Sequence, residues 1–220
     1  MKPRTPDDLE SVLDRELAWR RKELTDLRLV VKSASGPMQT ALRRAAVAMA
    51  YAHWEGFARA ACQAYLDFVA MRRLQIQELA PCFAALAVRK MLMVEPNRRP
   101  VALEISTVNI VRNKGTERAH LQRHKVVETR SNLSSEVFQD LLSALGLPST
   151  HFESKFNFLD HKLLVSRNEI AHGRETAPTD TDYDEIHDQV MQMIQDLSNE
   201  LRNAVVLARY RAISPLEQGT

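Results

Sequence analysis

The chain has 220 residues, 45% of them apolar, a formal net charge of +2 and only six glycines, so it can bury a sizeable core. No run approaches the ~18 to 20 uninterrupted apolar residues that cross a bilayer. The opening MKPRTPDDLESVLDREL also lacks the apolar block of a secretory signal, so no membrane partner is expected and a cytoplasmic location is. Ala, Leu, Arg, Glu and Gln outweigh β-branched and aromatic residues, a balance that predicts an all-α fold.

The first helix is predicted to open after TPDD, with Thr5 or Asp7 as cap. Leu9, Val12 or Leu13, Leu17, Leu24, Leu27 and Val31 then recur at helical spacing. SASGP breaks it, and Pro37 suits the first turn of a second helix from Met38 to about Leu74. Its stripe is Leu42, Ala46, Met49, His53, Phe57, Ala60, Ala64 and Phe68. At 1.5 Å per residue this helix is ~50 Å long, the central pillar of a bundle. A shorter helix begins at Pro81 and reaches about residue 94.

The stretch PNRRPVALEISTVNIVRNKGTERAH is not helically periodic and reads as an irregular, basic excursion. In TRSNLSSEVFQDLLSALGLP a Ser or Asn cap and Glu136 start another helix, which Gly146 and Pro148 stop. HFESKFNFLDHKLLVSRNEIAH follows, with Phe152, Phe156, Leu159, Leu163 and Ile170 facing a core and Gly173 ending it. A last long helix runs from about Thr181 to Tyr210 on Tyr183, Ile186, Val190, Met193, Ile194, Leu197, Leu201, Val205 and Leu207 or Ala208. No repeat, low-complexity tract or linker divides the chain, so residues 1–220 are expected to form one helical domain.

Charge is unevenly spread. Arg98, Arg99, Arg112, Lys114, Arg118, Arg123, Lys125 and Arg130 crowd one region, against Glu104, Glu117 and Glu128. Between 175 and 200, Glu175, Asp180, Asp182, Asp184, Glu185, Asp188, Asp196 and Glu200 stand without a Lys or Arg. The basic region suits a phosphate backbone and the acidic one repels it, unless both are merely solvated faces.

Cys62 and Cys82 sit apart, without a CxxC pair, and read as small core residues. His120 and His124 are four apart, a spacing that holds a metal on a helix, but no zincin-type glutamate lies between them. No cofactor and no metal are expected.

The stretch SRNEIAHG concentrates Arg167, Asn168 and His172 at one helix end. Asn168 and His172 lie one above the other, and Arg167 is about 140° round from His172. Two accounts fit this spacing: a catalytic group, or a solvated last turn in which His172 caps the helix and Arg167 pairs with Asp160 or Glu169.

Arg167 and His172 match the R-x(4-6)-H motif, and with LDRELAWRRKEL, AYAHWEGFARAACQAYL, TRSNLSSEVF and LLVSRNEIAHG in that order the chain resembles the HEPN superfamily, in particular HEPN-like nucleases of the RiboL-PSP-HEPN type from bacterial defence and toxin systems. The likeness covers most of residues 8 to 210. It implies a HEPN-like helical bundle acting as a metal-independent endoribonuclease, with Arg167, Asn168 and His172 catalytic.

The chemistry agrees with that implication. RNA is cut without a metal when its own 2′-OH attacks the adjacent phosphorus, which needs a base, an acid and a cation for the phosphoryl oxygens. Histidine, with a reference pKa of ~6.5, takes either proton role, and a helix C-terminus favours its cationic form. Arginine offers a permanently charged planar fork to phosphate. Asn168 is placed to orient the imidazole or to hydrogen-bond the phosphate.

One histidine does not serve both sides of one phosphorus, so the expected arrangement is a homodimer whose two motifs share one cleft. His53 and Glu55 of HWEG are supporting candidates, either orienting an active-site residue or holding two helices in register. Thr129, Ser131 and Asn132 read first as helix caps, with a contact to the motif helix as the other possibility. Arg112, Lys114, Arg118, Arg123 and Lys125 are the candidate RNA contacts.

The resemblance also implies an RNA substrate and a cognate antitoxin or regulatory partner. The tyrosine that some HEPN toxins carry just after the histidine is missing, since GRETAP follows and Tyr183 is the first tyrosine. A second function class stays open, a non-catalytic HEPN-like module that binds RNA, a nucleotide or a partner protein through the same cleft.

Overall fold

The computed structural model describes residues 2–92, 100–123, 125–129, 132–175 and 177–212. Helix α1, Pro6–Ser33, starts in a capping box: the Thr5 side chain accepts from Asp8 N–H and the Asp8 carboxylate accepts from Thr5 N–H. Leu9, Leu13, Leu17, Leu24 and Val31 are buried along one side, as their spacing predicts.

Helix α2, Gly36–Met71, is the pillar. From Ala46 to Val69 it is buried on nearly every side, including Tyr51, Trp54, Phe57, Tyr65, Leu66 and Phe68, because α1, α7 and α8 all pack on it. Burying each such large side chain is worth roughly 1.5–3 kcal/mol. The single stripe read from the sequence is therefore too narrow: a helix surrounded by neighbours is apolar all round.

After a 3₁₀ turn at Ile76–Glu78, helix α3 spans Pro81–Leu92. Helix α4, Pro100–Asn113, corrects the expectation of an irregular excursion. Its apolar residues fall all round it, Val101, Ile105 and Val108 on one side and Leu103 and Ile110 on the other, so no single stripe marks the helix in the sequence. Ser106 and Thr107 bond back to the Ala102 and Leu103 carbonyls within it.

Helix α5, Ser135–Ala144, is capped by the Ser134 hydroxyl, which accepts from Val137 N–H. Thr129 and Asn132 are thus not its caps, and Ser131 lies outside the described residues. A continuous helical rod follows: α6, Glu153–Phe158, a π-helical segment, Leu159–Leu164, and α7, Val165–Ala171, after which Gly173 turns the chain at φ +71°. Helix α8, Asp180–Val206, begins in a second capping box, Thr179 with Asp182. It stops four residues before Tyr210, which instead caps the far end of the core edge-on to Phe68.

One hydrophobic cluster runs from Leu9 to Tyr210. Among the described residues no strand is formed, and no helix is long and apolar enough to cross a membrane. Cys62 is buried and Cys82 half-buried, and both are free thiols; burial pushes the Cys62 thiol up to about 12. His124, Arg98, Arg99 and Arg130 lie outside the described residues.

Candidate active site

The site is built where the rod 153–171 crosses α2. A π turn holds one residue more than an α turn, so it rotates everything after it by about 100° relative to an uninterrupted helix. The rod is pinned at that irregular segment, where Asp160 accepts from the backbone N–H of Ser135 at 2.7 Å and from its hydroxyl. Leu159 and Leu163 enter the core. The motif residues beyond them are left half-buried or exposed against α2 and the 129–133 segment.

Arg167 is fixed from three directions. Its Nη1 donates to Asn132 Oδ1 at 2.9 Å and to Asn168 Oδ1 at 2.8 Å, and its guanidinium carbon sits 4.8 Å from the centre of the Tyr51 ring. None of these partners carries a charge. The carboxylates that the sequence offered it are engaged elsewhere, Asp160 by Ser135 and Glu169 3.7 Å from Arg174.

Tyr51 is itself held. Its hydroxyl accepts from Leu133 N–H at 2.7 Å and feels the Glu55 carboxylate one turn on. Burial pushes the phenol up to about 12, with Glu55 adding to the rise and the Leu133 N–H opposing it, so Tyr51 stays protonated. Glu55 Oε1 also accepts from the Thr129 hydroxyl at 2.5 Å, which in turn accepts from Arg59 Nη2 at 3.1 Å. A polar chain therefore runs from Arg59 through Thr129, Glu55 and Tyr51 to Arg167. Asn132 contacts the motif helix, the other of the two roles its sequence allowed, whereas Thr129 bonds to Glu55 and Arg59 of α2.

His172 is the C-cap of α7. Its N–H donates to the Asn168 carbonyl at 3.0 Å and its side chain is exposed. The imidazole therefore stands free at the helix end, one turn from Asn168, while the guanidinium is anchored below.

His53 does not join this group. Four consecutive residues of HWEG face different neighbours. His53 packs edge-on to Trp19 with Nε2 2.9 Å from Glu23 of α1, Trp54 meets Phe138 of α5, and Glu55 faces Thr129. Gly56 gives Arg20 room, since a Cβ there would lie 3.3 Å from its Nη2. Burial lowers the His53 pKa, aided by Arg20 and opposed by Glu23, which keeps the ring neutral. His53 thus holds α1 and α2 in register, and only Glu55 belongs to the site.

The five candidate RNA contacts are not one surface. Arg112 ends α4, Lys114 sits 3.4 Å from Glu117, and Arg123 lies 2.8 Å from Asp67 near the far end of α2. Arg118 lines a pocket with Arg123, and Lys125 lines another with Arg89 and Asp140.

Tyr51 is the residue that sequence reading missed. It stands four before Glu55, a spacing that puts both on one face.

An all-α bundle that presents an anchored arginine and an exposed histidine at the end of one helix is the class of protein the fold and site define. Over residues 9–210 the chain matches the family described as HEPN_MAE_28990-like HEPN, and it belongs to that family. No curated protein and no solved structure matches it. Membership confirms the HEPN superfamily and points to a nuclease or RNA-related role.

Proposed function

We propose that the protein is a metal-independent endoribonuclease that cleaves RNA by 2′-OH transfer, leaving a cyclic phosphate, and works as a toxin or anti-phage effector. One observation carries this reading. Arg167 is positioned by neutral oxygens and a ring rather than by a carboxylate, so among the described residues no acid pairs with it, and it is held by a fixed scaffold on the helix that ends in the exposed His172. Arg28 and Arg43, which tie helices together, are by contrast matched with acids.

In the proposed step the 2′-oxygen forms a bond to phosphorus as its proton leaves to a base, and the 5′-oxygen departs with a proton from an acid. His172 carries one of these proton transfers, and Arg167 binds the phosphoryl oxygens as charge gathers on them. Asn168 holds the guanidinium through its side chain and meets the histidine through its backbone. The second proton group is His172 of a second copy, in a homodimer whose motifs face one cleft. A cognate inhibitor or regulatory partner would keep such an activity silent.

The test is wild type against His172→Ala and Arg167→Ala on RNA in EDTA. Cleavage lost in both variants is expected; equal cleavage by all three proteins overturns the reading. A stable monomer that still cuts RNA removes the composite site.

A further inference from the structure

We propose that the far end of α2 carries a separate phosphate-binding pocket, formed by Arg73, Lys90, Arg118 and His120. The pocket has a volume of about 190 Å³ and is half open to solvent. It lies beside Asp67, sixteen residues beyond Tyr51 along α2, about 24 Å at 1.5 Å per residue. It is therefore not part of the Arg167 site.

Three chain segments bring the cations together. Arg73 follows the end of α2, Lys90 is in the last turn of α3, and Arg118 and His120 come from the connection after α4. That connection is locked by its backbone. Ile76 N–H donates to Glu117 C=O at 3.0 Å, Ala119 N–H to Leu74 C=O at 2.8 Å, and Gln122 N–H to Leu86 C=O at 3.2 Å. Ala119 and Leu121 turn inward and are buried, so the alternate residues Arg118 and His120 point out. The cationic groups thus stand on a preformed frame, over an apolar floor that includes Met71 and Leu121.

Charge balance is the second observation. Arg123, also on the rim, is neutralised by Asp67. Among the described residues no carboxylate lies within ion-pair distance of Arg73, Lys90, Arg118 or His120, whereas Asp180, Asp182, Asp184 and Glu200 of α8 are matched by Arg43, Lys162, Arg28 and Arg209. Like charges collected in one concavity repel unless an anion joins them.

Arg73 adds a third. It takes φ +56°, the left-handed conformation at a helix end where glycine is ordinarily used. A bulky side chain is held there against its backbone preference and faces the pocket. Arginine forks with a lysine beside them suit a tetrahedral oxyanion, and the volume admits a phosphoryl group with the edge of a sugar. The phosphate is carried either by a nucleic-acid strand or by a free phosphorylated molecule.

This inference stands apart from the cleavage chemistry, so its test uses full-length protein bearing His172→Ala, in which loss of the proposed cleavage cannot affect the result. Two probes are titrated at several salt concentrations: inorganic pyrophosphate, and a fluorescent single-stranded RNA of about twelve nucleotides. Adding Arg73→Gln and Arg118→Gln together is expected to weaken binding at least about tenfold and to lower the salt slope by roughly two, while Arg15→Gln, on exposed α1 surface, changes neither.

Loss confined to RNA assigns the pocket to a strand phosphate, and loss confined to pyrophosphate assigns it to a free ligand. Arg73→Gly, which relieves the left-handed strain, should reduce binding without lowering the melting temperature. The proposal is overturned if the parent protein binds neither probe, if the double variant loses no more than Arg15→Gln, or if the loss in Arg73→Gly comes with a lowered melting temperature.

Discussion

Arg167 on α7 and four arginines at α8 occupy similar half-buried settings and are held in opposite ways, while a fifth, Arg21, is held there by Gln195 Oε1. Arg28 sits 2.8 Å from Asp184 and 2.6 Å from Asp188, Arg43 3.0 Å from Asp180, and Arg202 and Arg209 are bound to Asp14 and Glu200. Each of these charges is answered by a carboxylate, so it contributes to folding and has little left for a ligand. Arg167 is held by two side-chain amide oxygens and a tyrosine ring. A dipole or a ring fixes a guanidinium without cancelling its charge, which leaves the charge of Arg167 available to a phosphate.

The largest effect should come from the motif itself. His172→Ala should reduce RNA cleavage by about 10²–10⁴-fold, and Arg167→Ala by about 10²–10³-fold. Because His172 is exposed, its variant should melt within about 0.5 kcal/mol of wild type. A thermal melt beside a cleavage assay checks both, and a large loss of stability in His172→Ala would make the residue structural.

Tyr51→Phe sharpens the contrast next. The ring stays beneath Arg167, but Leu133 N–H loses its acceptor, at about 1–3 kcal/mol. Denaturant unfolding should show that cost, with cleavage retained below the transition. Tyr51→Leu, which also removes the ring, should lower cleavage further at similar stability.

The α1–α2 contact should show itself in pH. The folded-state pKa of His53 lies below its ordinary value of 6.5, so the unfolded chain binds the proton first as pH falls. Its contribution is fully present above about pH 6.5 and is lost progressively below it. Melting temperatures followed from neutral to mildly acid pH should fall less steeply in His53→Gln than in wild type. The smallest effect is expected on α8, where Arg28→Ala should cost under about 1 kcal/mol and less at high salt. A cost of several kcal/mol there would blur the distinction between the two kinds of arginine.

Most of the fold could be read from the sequence because the strong signals are local. The Thr5 cap, the Pro37 start, the Gly146 and Gly173 stops and the apolar spacing of α1 and α8 depend on residues within a turn or two of each other. Helix α4 is hidden for the same reason, since its apolar residues, Val101, Ile105 and Val108 against Leu103 and Ile110, fall on opposite sides and leave no one-sided pattern. The motif Arg167, Asn168 and His172 was legible as a cluster, while of its support Glu55 and Asn132 were legible only as one of two possibilities each and Tyr51 not at all. Tyr51, Glu55, Thr129 and Asn132 come from distant parts of the chain, and nothing local says that His53 turns to α1 while Glu55 turns to Thr129.

The sequence by itself determined that this chain is a helical bundle with a HEPN motif at one helix end, because propensity, capping and periodicity act over a few residues. Only the tertiary structure decided which charges cancel and which remain. It brought acids to Arg28 and Arg43, neutral oxygens to Arg167 and no described carboxylate to Arg118. Electrostatic partnership depends on distances across the packed core, and those distances exist only once the helices have docked.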